Sequence, residues 1–247
     1  YWVLIANIII LAFLAFLAYD LLKMPTPVYI YPNEDEVLLS FERPFQIEFN
    51  RPISSATIKP YVFPELKGRW SIEATDNAFP FIKRCLVFYP AETVFPGERI
   101  FLSYAGITNP ISKLEPWEFK FYAYAPPFPE ILALTPTDNN PEVPADSPVS
   151  LNFNLPDGQN IEWELNSTPP FEYDKTFTDN TLLFRPKGLL QQNTLYEVIL
   201  VRTPLRLELP SREVLEKGQP ENVLTVKFTT VKEPLVSKFE PGNGAHI

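Results

Sequence analysis

The hydropathy of the chain changes character near residue 24. From Tyr1 to Tyr19 every position except Asn7 is apolar or aromatic, and the first charges are Asp20 and Lys23. Such a run predicts one α-helix, apolar on every side and long enough at 1.5 Å per residue for a hydrocarbon core of about 30 Å. Beyond Pro25 and Pro27 the pattern becomes alternation. In "PFQIEFN" Phe45, Ile47 and Phe49 share one side, and in "PVSLNFN" Val149, Leu151 and Phe153 do the same, the period of a half-buried strand. Turn-punctuated runs of this kind predict strands near 28–31, 45–49, 57–62, 69–73, 85–89, 98–104 and 118–124. A second set is predicted near 131–134, 149–154, 161–165, 181–185, 195–202 and 224–230.

The first run reads as a transmembrane anchor over 1–23. One amide at Asn7 costs far less at mid-bilayer than a charge would. Tyr1, Trp2 and Tyr19 fall where an aromatic belt sits. A buried core helix would need other helices to cover it, and the remaining pattern predicts almost none. A cleaved signal peptide has a shorter apolar core ending in small residues, whereas this run ends in "AYDLLKMP". An N-terminal anchor ahead of β-domains is the usual layout of an extracytoplasmic protein, so the expected location is the cell membrane, single-pass, with the β-domains outside.

The rest of the chain repeats itself. "VYIYPNEDEVLLSFERPFQIEFNRPI" is echoed by "ILALTPTDNNPEVPADSPVSLNFNLPD", and "CLVFYPAETVFPGERIFLSYAG" by "TLLFRPKGLLQQNTLYEVILVRT". Each copy has a strand ending at a proline (Pro32, Pro136), an acidic Asn-rich turn, an alternating strand, and a second strand–proline–turn–strand unit around Pro90 or Pro186. "LVSKFEPGNGAHI" restates the opening once more, with Phe239 and Pro241 in the places of Tyr31 and Pro32. Short strands at this spacing predict antiparallel two-sheet sandwiches. The expected domains are a β-sandwich over 25–126, a second over 127–232, and the start of a third module over 233–247. Phe153 and Phe228 are expected at the same places as Phe49 and Phe121. The expected core includes Phe45, Ile47, Phe49, Leu86, Phe88 and Phe119 in the first copy. In the second it includes Leu151, Phe153, Trp163, Leu183, Phe184, Tyr196, Val198 and Phe228.

These residues resemble the bacterial Ig-like repeats of S-layer and cell-surface proteins. The resemblance rests on Phe153, Pro156, Phe184, Pro186, Thr194, Tyr196 and Val198 in residues 127–232. It is looser in 25–126, where Gly97 and Glu98 stand for the Asn-Thr pair and Ile100 and Leu102 for Tyr196 and Val198. It implies an all-β chain of tandem Ig-like antiparallel β-sandwiches behind one transmembrane α-helix, used as a spacer, stalk or assembly module. It carries no catalytic residues to transfer.

Composition narrows the function classes. The 247 residues include 28 prolines against 8 glycines, with 45% hydrophobic and 14% aromatic residues, which excludes a disordered chain and fits strand edges and stiff linkers. A net charge of −9 argues against nucleic acid, whose binding is driven by Lys and Arg on phosphates. The single cysteine, Cys85, excludes an intramolecular disulfide and a thiolate zinc site, and the single histidine, His246, leaves no triad to build. Acids repeated in the turns at Glu34, Asp35, Glu36 and Asp138 are read as turn chemistry rather than a calcium or glycosidase site. No cofactor, metal or small-molecule substrate is expected, and no enzymatic activity within these residues.

Two surfaces stand out as candidates for partner contact. "NAFPFIKR" places Phe79 and Phe81 around Pro80. "TPLRLELPSREVLEKGQPEN" is longer than its counterpart in the first copy and carries Leu205, Leu207 and Leu209, with a short helix expected from a Ser211 cap through Glu216 to Gly218. The functional expectation is a membrane-anchored stalk or interaction protein in a cell-surface or envelope assembly, with a protein partner or self-association. The alternatives are a spacer presenting a cell-wall-acting catalytic domain beyond residue 247, and a pilin-like filament subunit.

Overall fold

The computed structural model describes residues 2–38, 40–54, 58–74, 83–109, 117–155 and 160–232. Phe79, Phe81, Pro156 and the expected third module over 233–247 lie outside the described residues. Helix α1 runs Trp2–Leu22, ended by Pro25 and Pro27, which cannot continue a helical ladder. Over the described residues alone, no helix is long and apolar enough to cross a membrane. Everything described after Met24 is strand, turn or loop.

The chain divides into two compact units. Unit 1 takes residues 1–128 together with 205–218, and unit 2 takes 129–204 and 219–247. The first eight strands are β1 (Pro27–Tyr31), β2 (Glu36–Val37), β3 (Phe45–Phe49), β4 (Lys59–Phe63), β5 (Gly68–Ala74), β6 (Lys83–Pro90), β7 (Arg99–Ile107) and β8 (Trp117–Tyr124). They form two four-stranded sheets, β1-β3-β6-β5 and β2-β8-β7-β4. Then follow β9 (Ile131–Thr135), β10 (Asn140–Val143), β11 (Val149–Phe153), β12 (Ile161–Thr168), β13 (Tyr173–Thr178), β14 (Thr181–Pro186), β15 (Leu195–Leu207), β16 (Val214–Lys217) and β17 (Glu221–Thr230). Their sheets are β13-β14-β11-β9 and β10-β17-β15-β12, with β16 paired to the far end of β15.

Lettered A to G in chain order, each unit has A, B, E and D in one sheet and C, F and G in the other. That is the immunoglobulin arrangement. A short strand after A crosses to pair parallel with G in both units, β2 with β8 and β10 with β17. Both units are therefore Ig-like sandwiches, and the fold expected for this region is the one observed.

The same backbone bonds recur at matching positions. The Thr26 amide donates to Asn50 Oδ1 at 3.0 Å and the Asn50 amide returns to the Thr26 carbonyl; Glu130 and Asn154 do likewise, with the side-chain bond at 2.9 Å. Asp35 and Asn139, both at φ 58, donate their amides to the Tyr122 and Lys227 carbonyls. Asp and Asn are the residue types that tolerate this left-handed backbone, so the turn chemistry read from the sequence is what these positions do. Gly97 (φ 76) and Asn193 (φ 51) open the next repeated turn, where their amides donate to Pro126 and Val231.

These bonds correct one alignment. Because Tyr122 matches Lys227, Phe228 matches Ala123 and Phe121 matches Val226; the expected pairing of Phe228 with Phe121 is two residues out. A shift of two keeps a side chain on the same face, and both rings are still buried. Phe49 and Phe153 match as expected.

The cores follow the alternation. Phe45, Ile47, Phe49, Leu86 and Phe88 are buried in unit 1, as are Leu151, Phe153, Trp163, Phe184, Tyr196, Val198 and Phe228 in unit 2. Trp70 lies 4.5 Å from the Phe88 ring centre and meets Tyr104 edge-on at 5.5 Å. Gly68 has no room for a side chain, since a Cβ there would run into the Phe88 ring and the Tyr89 carbonyl. In unit 2, Phe153 packs between Trp163 at 5.1 Å and Phe177 at 5.9 Å. Two expected core residues are corrected. Phe119 is only half-buried, and so is Leu183. Adjacent residues of a strand point to opposite faces, so with Phe184 inside it is Leu182, not Leu183, that fills the core.

Tyr196 adds an Ig-specific feature. It sits at the start of β15, and its hydroxyl accepts the Gln191 amide at 2.9 Å, a tyrosine corner. Unit 1 has Ile100 there. Its Glu98 carboxylate instead accepts the Phe95 amide at 3.1 Å.

Candidate functional site

The long insertion before β17 belongs to unit 1. The short helix expected from Ser211 is instead a hairpin arm, with β15 and β16 antiparallel from Leu205–Lys217 to Leu207–Val214. Pro210 has no amide to donate and Arg212 takes a left-handed φ of 61, so the chain turns at the point where a helix would have begun. Leu205 and Leu207 are buried, and Leu209 packs against the unit 1 core. Of the three leucines expected at a partner contact, two are thus buried within the chain and Leu209 is half-buried.

A polar clamp fixes the arm. Glu92, with 6% of its side chain exposed, accepts Arg206 Nη2 at 3.1 Å and the Lys67 amide at 2.9 Å. Arg206 Nη1 reaches Glu216 at 3.1 Å. The Thr93 amide donates to the Leu207 carbonyl at 2.9 Å, and the Leu207 amide returns to Thr93 Oγ1 at 3.0 Å. The Leu209 amide donates to the Ala91 carbonyl, and Arg212 pairs with Glu42. Sequence reading missed Glu92 because its partner lies 114 residues away.

A second surface lies on the outer face of sheet β2-β8-β7-β4. Cross-strand register puts Phe63 beside Phe101 and Phe101 beside Tyr122. Tyr61 and Phe63 are 54% and 58% exposed. Phe101 meets Tyr122 at 5.2 Å and Tyr61 edge-on at 6.4 Å. The Arg99 guanidinium lies 3.5 Å above the Tyr122 ring, a cation–π contact. Together the five line an open depression of about 590 Å³. Glu118 and Lys120 complete the face, paired at 3.0 Å and both about half-exposed, and Ser103 Oγ donates to the same Glu118 oxygen at 3.3 Å.

Unit 2 serves as the control. By the register of β12, β15 and β17, the positions of Tyr61, Phe63, Arg99, Phe101 and Tyr122 are held there by Asn166, Thr168, Leu195, Glu197 and Lys227. Lys227 and Glu197 form an ordinary surface ion pair at 3.5 Å. One fold therefore accepts either lining, and the aromatic one is peculiar to unit 1. The sequence did hold a signal. "EFKFYAY" and "RIFLSY" carry aromatics on both faces of one strand, more than a single core can take.

Burial disfavours the charged forms of two groups. Burial, with Glu48 and Glu73 nearby, pushes the Cys85 thiol up to about 11, and burial raises the Tyr104 hydroxyl. No group of three or more His, Cys, Asp and Glu suited to a metal occurs among the described residues.

No known family and no curated protein matches the chain. Among solved structures, L,D-transpeptidase 3 from Mycobacterium tuberculosis is similar at 17% identity over 41% of this chain and 37% of its own, with a TM-score of 0.28. The N-terminal part of the bacterial S-layer protein SbsC matches at 13% identity over 90% of this chain and 48% of its own, with a TM-score of 0.32. A chimeric titin Z1Z2 matches at 11% over 86% of this chain and 98% of its own, with a TM-score of 0.33. The chain thus spans under two fifths of the transpeptidase. At these scores the likeness carries no argument, and the fold assignment rests on strand order and hydrogen bonding.

Proposed function

We propose that this chain is a membrane-anchored extracytoplasmic stalk or interaction protein, its two Ig-like units held above the bilayer by α1 as part of a cell-surface or envelope assembly. On this reading it acts by holding a protein partner or another copy, and catalyses nothing within these residues. The observation that carries the proposal is α1 itself. Its 21 residues extend about 31 Å at 1.5 Å each, close to the thickness of a hydrocarbon core. Its described side chains, among them Leu4, Ile5, Ile8, Ile9, Leu11, Phe13, Leu14 and Phe16, are about half exposed or more around the whole circumference. Water does not tolerate so much unpartnered apolar surface, whereas lipid does. The junction is short, since Asn109 Nδ2 donates to the Lys23 carbonyl at 3.1 Å and Pro25 is already buried. Protease added to intact cells tests the proposal. It should digest the sandwiches and leave a membrane-retained helix, and digestion seen only after lysis would overturn the extracytoplasmic placement.

A further inference from the structure

We propose that the aromatic face of unit 1 binds the same face of a second copy of this chain. Two chemical facts define what the face accepts. It presents ring edges and faces that water solvates poorly, and it presents a guanidinium lying over the Tyr122 ring, with no carboxylate within ion-pair distance among the described residues. An occupant must therefore offer apolar surface together with an acid placed to meet Arg99.

A second copy offers both, at the right spacing. Leu102 and Phe121 are directly opposed between β7 and β8. One residue to one side lies the row Phe63, Phe101 and Tyr122, capped by Arg99. One residue to the other side lies the row Tyr61, Ser103 and Lys120, where Ser103 draws in the Glu118 carboxylate. Cation and acid thus lie at equal distances on opposite sides of the Leu102–Phe121 level. A two-fold axis between two facing sheets, running across the strands at that level, exchanges the two rows. It sets Phe63 of each copy against Tyr61 of the other, and brings the Arg99 end of each face, over Tyr122, against the Glu118–Lys120 end of the other, with Glu118 one strand across from Arg99. This is an isologous interface, self-complementary in shape class and in charge. The Glu118–Lys120 pair is half-exposed and contributes little where it is, so the acid is available to a partner.

Unit 2 supports the reading from the other direction, because the same positions there satisfy their charges internally through Lys227 and Glu197. If the anchor reading under "Proposed function" holds, every copy also carries unit 1 at one height above one bilayer, which raises the effective concentration of face for face.

The test uses the full chain in detergent, followed by sedimentation equilibrium. The unaltered protein should dimerise reversibly. Arg99→Glu and Glu118→Arg should each weaken the dimer about tenfold or more, and the double reversal should restore it, as expected for a directly coupled pair. Phe63→Thr with Tyr61→Asn, residues that unit 2 places at these positions, should abolish it while circular dichroism stays unchanged. Three results would overturn the proposal: a monomer at every concentration, a dimer indifferent to the single reversals and so held elsewhere, or single losses that the double reversal does not recover. A face that captured a different protein but not its own copy would also overturn it. Membrane retention, assayed on the same variants, reports on the anchor alone, so failure of either proposal leaves the other readable.

Discussion

Units 1 and 2 repeat one strand order, one set of asparagine-locked strand ends and one pair of left-handed turns, yet they share little on the outer face of the sheet that carries C, F and G. Unit 1 exposes Tyr61 and Phe63 there, beside half-buried Phe101 and Tyr122. Unit 2 exposes Asn166, Thr168 and Lys227. They differ also in what they need from the rest of the chain, since unit 1 takes its last strand pair from residues 205–218. The lesson is that inward positions and turn bonds define this fold, while outward positions are free to acquire a purpose.

The largest expected effects come from breaking what the units share. Phe49→Ala and Phe153→Ala should each cost about 3–5 kcal/mol, because each ring is fully buried and leaves a cavity. Denaturant unfolding followed by hydrogen exchange should show each loss confined to its own unit, and equal loss of protection in both units would break the comparison.

Next in size is the clamp that only unit 1 possesses. Arg206→Met leaves Glu92 buried with the Lys67 amide still donating to it, and should destabilise unit 1 by roughly 2–3 kcal/mol, less than a fully enclosed pair because Arg206 is 23% exposed. Hydrogen exchange should detect it at the Leu207 and Leu209 amides. Those amides should lose protection with Phe49→Ala and keep it with Phe153→Ala, since they bond to Thr93 and Ala91.

Tyr196→Phe should cost about 1 kcal/mol, the net worth of one hydrogen bond, in unit 2 alone. Unit 1 has no counterpart to lose, and Glu98→Ala should have the comparable effect there through the Phe95 amide. Smallest of all, Tyr61→Asn with Phe63→Thr should leave the melting temperature of unit 1 within about 2–3 °C, as surface changes usually do. A larger fall would mean that the aromatic face supports the fold.

Much of this architecture was legible in the chain. Phe45, Ile47 and Phe49 announce their strand by alternation, and Asn139 and Gly97 announce turns because few other residues adopt a positive φ. Strands β2, β10, β13 and β16 were not foreseen. The first, second and fourth have only two to four residues each, too few to show a period, and β13 (YDKTFT) alternates polar side chains with only Phe177 and Tyr173 turned inward. The clamp was illegible for a different reason. Neither Glu92 in "PAETVF" nor Arg206 in "PLRLEL" shows its partner until the chain folds back on itself. The leucines at 205, 207 and 209 stand out by alternation as apolar, but alternation does not say which surface covers them.

The functional account depends most directly on α1, and partition of the full chain against a fragment starting at residue 25 measures it. The full chain should sediment with membranes and resist both high salt and alkaline carbonate, while the fragment should remain in the supernatant with an unchanged β-sheet circular dichroism spectrum. Release of the full chain by carbonate, or retention of the fragment after the salt wash, would contradict an anchor in residues 2–22.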